Sequence, residues 1–297
     1  MPVPPGTRLA AQLDGRANPA ILVGMAVLVV IIAALVWLSP SVRSDAPRPA
    51  STGAGGVIVP GVKNPARLMR VEVVASYPHD RHAFTQGLHY EDGVLYESTG
   101  LEGESTIRRV DPKTGRVLKS VPLPADDFGE GIARVPEGLV QLTWQSDIGY
   151  LWDPATLARK GALEYKGDGW GLCYDGTSLV MSDGSPTLLF RRRENFEVQR
   201  TVRVTLDDAP LKWVNELECV NGSIYGNVWR RDIIVRIDPA TGIVREKIDA
   251  SGLLTRSEAE GVDFLNGIAY DPADGLFYLT GKKWPKLFKV RFVPAGT

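Results

Sequence analysis

Five stretches of this chain repeat one another, and a repeat limits the possible folds more than any other feature of a sequence. They are QGLHYEDGVLYESTG from Gln86, EGIARVPEGLVQLTW from Glu130, WGLCYDGTSLVMSDG from Trp170, NELECVNGSIYGNVW from Asn215 and NGIAYDPADGLFYLTGK from Asn266. Each opens with a polar or aromatic residue, usually followed by Gly, and runs through an aliphatic residue and a short turn into a second β-rich run. The leading residues are 44, 40, 45 and 51 positions apart, a mean of 45. A spacing of roughly 40–45 residues matches one four-stranded propeller blade. The expected fold class is all-β, a five-bladed β-propeller.

Three further stretches supply outer hairpins for such blades: Asp111-Pro-Lys-Thr-Gly115, Asp153-Pro-Ala-Thr-Leu157 and Asp238-Pro-Ala-Thr-Gly242. The run Met69–Tyr77 precedes the first repeat, and Lys286–Val293 follows the last. A propeller closes when one terminus adds a strand to the blade begun by the other. Arg70–Ser76 is therefore expected to pair as the outermost strand of the last blade, which covers an open edge. The longest spacing contains Asp249–Gly261, expected to be a loop with a short helix. Charge is balanced, 34 Lys+Arg against 35 Asp+Glu, so no bulk field recruits nucleic acid. Arg191-Arg192-Arg193, the longest basic run, is expected to be a solvated strand and turn.

Ala20–Leu38 holds no charged or strongly polar residue. Nineteen residues at helical rise cover about 28 Å, close to a hydrocarbon core of about 30 Å. The rival is a cleaved signal peptide, whose apolar region is about 7–15 residues and ends at a small-residue site. This run is longer, ends in Trp37-Leu38 and is followed by Ser39-Pro40-Ser41. It is read as a single-pass anchor. Arg8 and Arg16 precede it and Arg43 and Arg48 follow, so with the amino terminus the bias is slightly toward N-terminus inside. The expected organisation is a cytoplasmic segment 1–19, an anchor 20–38, a flexible stalk 39–67 and an extracytoplasmic catalytic domain 68–297 that acts as a monomer.

Equivalent positions on the innermost strands of five blades surround one axis. Gln86, Glu130, Trp170, Asn215 and Asn266 should ring the mouth of the channel, and Thr99, Trp144, Gly184, Trp229 and Lys282 should form a second ring. A carboxylate walled by aromatic rings shifts its pKa upward by desolvation, which suits proton transfer. A lysine beside it could balance the charge or stabilise an oxyanion. Cys173 and Cys219 lie three and four residues after their leading residues, on neighbouring blades. That offset points them to opposite strand faces, so both are read as buried free thiols. His79, His82 and His89 lack the companions of a zinc site and are read as surface or loop residues.

Ten short stretches resemble the plant-type glutaminyl-peptide cyclotransferases. They are AFTQGL (Ala83–Leu88), YESTG (Tyr96–Gly100), FGEG (Phe128–Gly131), LTW (Leu142–Trp144), WGL (Trp170–Leu172), SDGS (Ser182–Ser185), NELE (Asn215–Glu218), NVW (Asn227–Trp229), LNGIAYD (Leu265–Asp271) and TGKKWP (Thr280–Pro285). They span essentially the whole expected propeller, in order. The resemblance implies a five-bladed propeller that works without a cofactor or catalytic zinc. It also implies cyclisation of an N-terminal glutamine, in a peptide or protein partner, to pyroglutamate with loss of ammonia. Under it Glu130 is the proton shuttle, and Gln86, Asn215 and Lys282 orient the amide and stabilise its oxygen. Phe84, Phe128, Trp144, Trp170 and Trp229 form the pocket wall. Asn266 receives no role from it.

Two other classes compete. A calcium-dependent propeller lactonase would use Glu130, Asn215, Asn266 and Asp183 as ligands and lose activity with a chelator. A non-catalytic surface propeller would not turn over a Gln-initiated peptide.

Overall fold

The structure, a computed structural model, describes residues 61–296; the expected anchor Ala20–Leu38 and all but the last seven residues of the stalk lie outside them. The described residues are all-β, without a helix. β1 is Arg67–Pro78. A first meander holds β2 (Thr85–Glu91), β3 (Val94–Thr99), β4 (Thr106–Val110) and β5 (Val117–Pro122). A second holds β6 (Phe128–Val135), β7 (Gly138–Trp144), β8 (Ile148–Trp152) and β9 (Arg159–Glu164). The third is β10 (Leu172–Tyr174), β11 (Ser178–Met181), β12 (Thr187–Arg192) and β13 (Val198–Arg203). After a two-residue ladder of β14 (Thr205–Leu206) and β15 (Ala209–Pro210) comes the fourth, β16 (Val214–Val220), β17 (Ser223–Val228), β18 (Ile233–Ile237) and β19 (Val244–Asp249). The last is β20 (Leu265–Asp271), β21 (Leu276–Gly281) and β22 (Lys286–Pro294).

Composition sorts the strands by depth. The first two strands of a meander are buried on both faces, as in β7, whose sequence is GLVQLTW. The fourth strands VLKSVP, RKGALE and VQRTVR are mostly exposed, and their Lys and Arg side chains suit an edge that must not recruit another strand. The three expected outer hairpins are present. In each, an Asp side chain accepts a backbone N–H two or three residues on: Lys113 for Asp111, Thr156 for Asp153 and Ala240 for Asp238. The expected pairing of the first strand also holds. β1 runs antiparallel to β22 from Met69 opposite Pro294 to Pro78 opposite Lys286. Its first four residues also pair in parallel with β19, joining the fourth and fifth meanders into one eight-stranded sheet. Asp249–Gly261 forms turns and no helix, contrary to expectation.

Apolar side chains gather in layers, each shared by two successive meanders. Leu88 and Leu95 meet Ala269 and Tyr278. Ile107 meets Ile132 and Leu139, and Val140 and Leu142 meet Leu172 and Leu179. Val180 and Phe190 meet Leu217 and Val235, and Ile234 and Ile248 meet Ile268 and Leu279. The first strands approach through glycine. A Cβ on Gly87 would come 2.6 Å from the backbone nitrogen of Ile132, and one on Gly131 would come 2.6 Å from the carbonyl oxygen of Trp170. One on Gly171 would strike the carbonyl of Asn215.

This stacking corrects the reading of the cysteines. Cys173 and Cys219 are joined in a disulfide with a Cα–Cα distance of 5.4 Å. Sheets that stack face to face present opposite faces to one another. The one-residue offset between the two positions therefore turns the thiols together rather than apart. Arg191 is likewise not solvated. It is buried, its guanidinium 4.8 Å from the ring centre of Phe196 and 5.6 Å from that of Tyr165, and it donates to the Phe196 carbonyl at 2.9 Å.

His79 is also buried, against the surface or loop reading. Its Nδ1 faces the carbonyl of Trp284 at 2.8 Å and its Nε2 faces Glu97 Oε1 at 3.0 Å. Thr85 Oγ1 donates to the same carboxylate oxygen at 2.7 Å, and Arg108 Nε lies 3.7 Å from the other. Burial alone would lower the His79 pKa, but the Glu97 charge, its hydrogen bond and the Trp284 carbonyl hold it above the ordinary value, with Arg108 opposing. Burial alone would raise Glu97, and His79, Arg108 and Thr85 bring it below its ordinary value. His89 is half-buried against Tyr96, and desolvation, helped by Arg134, holds it down at about 4. His82 is exposed, as expected.

Two outcomes follow from this packing. Gly171→Ala should destabilise the fold by about 1–3 kcal/mol, because the obstacle is backbone and cannot rotate away; an unchanged denaturation midpoint would show that the strands do not cross here. The His79–Glu97 pair should contribute stability most fully below about pH 6.5, where unfolded histidine is protonated. That contribution fades as pH rises through the raised folded value of His79, and on the acid side as pH falls through the lowered value of Glu97. The midpoint difference between wild type and His79→Gln should therefore shrink from pH 6 to pH 9, and a constant difference would sink the assignment.

Candidate active site

The leading residues of the repeats occupy breaks in the strand ladders. The pairing register shifts between Thr85 and Gly87, between Gly129 and Ile132, between Val214 and Leu217, and between Leu265 and Ile268. Gln86, Glu130, Asn215 and Asn266 fall within those breaks. A bulge leaves a residue unpaired, bends the strand and re-aims its side chain. In the third unit Trp170 and Gly171 share one opposing residue: Trp170 donates its N–H to the Ser182 carbonyl, and the Ser182 N–H donates to the Gly171 carbonyl. Thr99, Trp144, Gly184, Trp229 and Lys282 lie at or just beyond the ends of the second strands. The hairpins are antiparallel, so each of these stands at the same end of its sheet as its leading residue.

Three of the leading residues form one hydrogen-bonded chain. Gln86 Nε2 donates to Glu130 Oε1 at 2.9 Å. Asn266 Nδ2 donates to Gln86 Oε1 at 3.1 Å and to the carbonyl of Thr85 at 3.0 Å. All three side chains are buried, and among the described residues Glu130 Oε2 has no hydrogen-bond partner. Burial raises the Glu130 pKa well above its ordinary value; Lys282 opposes this and Asp168 adds to it. Burial lowers the Lys282 pKa, against the charges of Glu130 and Asp263.

Of the two adjacent lysines, Lys282 enters the site. It is 4% exposed, with Nζ 4.7 Å from the ring centre of Phe84, whereas Lys283 is half-buried at 5.9 Å. The Lys283 N–H donates to the Ala83 carbonyl at 2.6 Å, tying its turn to the segment that carries Phe84.

The expected wall residues fall into two groups. Phe84 meets Phe128 edge to face at 6.1 Å, and Phe128 meets Trp144 at 5.8 Å. Trp170 meets Trp229 at 5.7 Å, and Trp229 meets Trp213 at 6.3 Å. Gly100 and Gly184 make room for this wall, since a Cβ on either would run into Phe128 or Trp170. Asn215 is buried, but among the described residues its Oδ1 has no donor and no hydrogen bond ties its side chain to Gln86, Glu130 or Lys282.

Three features of the site were not read from the sequence. Trp213 is 45% exposed beside Trp229, and the repeat carries no signal for it. The link from Asn266 to Gln86 joins positions 180 residues apart. Glu216 stands where the other four units have Gly87, Gly131, Gly171 and Gly267, a departure visible on aligning the repeats. Its carboxylate accepts the N–H of Leu88 at 3.1 Å and of Ile268 at 2.8 Å, joining three meanders at the strands that carry the site.

Known proteins share both this sequence and this shape. The profile of the glutamine cyclotransferase family matches residues 50–292. A glutaminyl-peptide cyclotransferase of Arabidopsis thaliana is 39% identical over 235 residues, which cover 77% of this chain and 73% of that protein. The crystal structure of Myxococcus xanthus glutaminyl cyclase superposes with a TM-score of 0.73 at 39% identity, covering 78% of this chain and all of the other. With the family profile matched across most of its length, this chain belongs to the glutamine cyclotransferase family.

Proposed function

We propose that this protein acts as a glutaminyl-peptide cyclotransferase, converting the N-terminal glutamine of a peptide or protein to pyroglutamate with release of ammonia. The observation that carries the reading is a buried carboxylate, Glu130, with one oxygen held by Gln86, the other without a partner among the described residues, and Lys282 nearby. Nucleophile and electrophile lie in one substrate residue, so the enzyme has mainly to fold that residue into a reactive conformer and move protons.

In the proposed reaction the neutral α-amine attacks the side-chain amide carbon, forming the ring C–N bond. Glu130 Oε2 takes the proton that the amine nitrogen sheds. Lys282 and Asn215 stabilise and orient the carbonyl oxygen as it gains negative charge. Glu130 then returns the proton to the amide nitrogen, the original C–N bond breaks and ammonia leaves. A free α-amine titrates near pH 7.7–8.0, so a base of raised pKa is well matched to it. Phe84, Phe128, Trp144, Trp170 and Trp229 exclude water from the substrate.

The meanders are the five blades of a propeller, with β1 closing the last; the cyclic sharing of apolar layers supports this count. Ala20–Leu38 anchors the domain on the outer side of a membrane, on the strength of its length and apolar character.

Glu130→Gln keeps shape and loses the shuttle. It should lower kcat about 10²–10⁴-fold with little change in KM, read as ammonia released from a Gln-initiated dipeptide. Near wild-type turnover would refute the mechanism. Lys282→Ala should also slow turnover. Protease added outside intact cells should release the propeller; recovery of a soluble mature protein starting near Ser41 would instead show that the segment is cleaved.

A further inference from the structure

We propose that Asn266 is a positioning residue that sets which way the Gln86 amide points, and so fixes Glu130 with one oxygen held and the other presented to substrate. The inference rests on the reading of Glu130 as the proton shuttle, and it begins from a group whose hydrogen-bonding sense is not in doubt. The backbone carbonyl of Thr85 can only accept. The Asn266 atom facing it at 3.0 Å must therefore be the amide nitrogen. The same nitrogen lies 3.1 Å from the Gln86 amide, which must turn its oxygen to meet it. That leaves the Gln86 nitrogen toward Glu130 Oε1, at 2.9 Å. One carbonyl thus sets the sense of three consecutive hydrogen bonds across three sheets.

The donor at the start of this chain is held firmly. The residue after Asn266, Gly267, has φ +125°, and its N–H donates to Asn227 Oδ1 at 3.1 Å. The next N–H, of Ile268, donates to Glu216 at 2.8 Å. Asn266 itself is 1% exposed. With its backbone pinned and its side chain enclosed, it is pre-organised to hold Gln86 in one of two orientations of similar shape. In the other orientation the Gln86 oxygen would face the carboxylate, and Glu130 would have to keep a proton to hold the contact.

The chemical consequence is on ionisation. A donor on Glu130 Oε1 favours the carboxylate, against the desolvation that disfavours it. The other charged groups acting on Glu130 are Lys282, which favours the carboxylate, and Asp168, which opposes it. Asp263 acts on Lys282. Tyr165 also lies within the field of Glu130. Among the described residues, none of these groups is hydrogen-bonded to the Asn266 side chain.

The test measures kcat/KM against pH for wild type, Asn266→Ala and Asn266→Leu, the last close to Asn in shape, without the donor and without any new charge. The acid limb should move about one pH unit higher in both variants, as expected when a charge-assisted hydrogen bond is weakened. Gln86→Ala should move it too, and adding Asn266→Ala to Gln86→Ala should move it no further. A carbon-13 titration of the Glu130 carboxyl reads the same shift whether or not Glu130 is the shuttle, and turnover of Glu130→Gln reads the shuttle alone. An unmoved limb and unmoved titration in a folded Asn266 variant would overturn the proposal. So would effects of Asn266 and Gln86 that simply add.

Discussion

The close crossing of strand backbones at the glycine after three of the leading residues is the constraint on which the rest of the structure depends. Where Gly87 faces Ile132, Gly131 faces Trp170 and Gly171 faces Asn215, no side chain fits between neighbouring first strands. The preceding residue is consequently lifted out of the ladder, in a bulge at four of the five units, and its side chain is freed from strand pairing. The same crossing brings Gln86, Glu130 and Asn266 within hydrogen-bond reach, although they come from three different meanders.

The fourth unit breaks the glycine rule and shows what the rule is for. Glu216 puts a carboxylate where its counterparts have only hydrogen, and that carboxylate takes up the N–H groups of Leu88 and Ile268. These donors lie two residues beyond Gln86 and Asn266, so Glu216 ties the strands that carry both. Burial pushes its pKa well above the ordinary value, with Glu218 adding and the two backbone donors opposing. Glu218 does the same one step further out, accepting the Tyr270 N–H at 3.0 Å, and burial carries its pKa to about 8. Two buried carboxyls thus supply partners to backbone groups that would otherwise be buried without any.

Repetition made most of this legible. A period near 45 residues carried the sheet content, the outer hairpins, the pairing of the first strand with the last, and the corresponding places of the leading residues in their hairpins. It failed where a property depends on how two repeats face one another. The disulfide was missed because strand parity was judged within a sheet, whereas Cys173 and Cys219 meet across the interface between two. Arg191 looked solvated in a basic triplet, yet Tyr165 and Phe196 from outside the triplet give its guanidinium aromatic faces. His79 is buried by Trp284 and Glu97, far from it in the chain, and no local pattern announces that. The role of Asn266 is of the same kind, since its position followed from the repeat and its partners did not.

A site built this way is costly to the folded state. Glu130 and Lys282 are both buried, and desolvation pushes each toward its neutral form. A buried acceptor without a protein donor, as at Glu130 Oε2, Asn215 Oδ1 and Asn266 Oδ1, costs about 1–3 kcal/mol if nothing else reaches it. Fully burying one leucine or isoleucine side chain contributes about 1.5–3 kcal/mol. Two or three such residues in a single layer are therefore of the size needed to offset the unpaired acceptors. The apolar layers lie between the sheets, while Gln86, Glu130, Asn215 and Asn266 stand near the strand ends, in breaks of the ladders. That separation lets the fold keep desolvated, part-satisfied groups at the site without weakening the packing that holds them there.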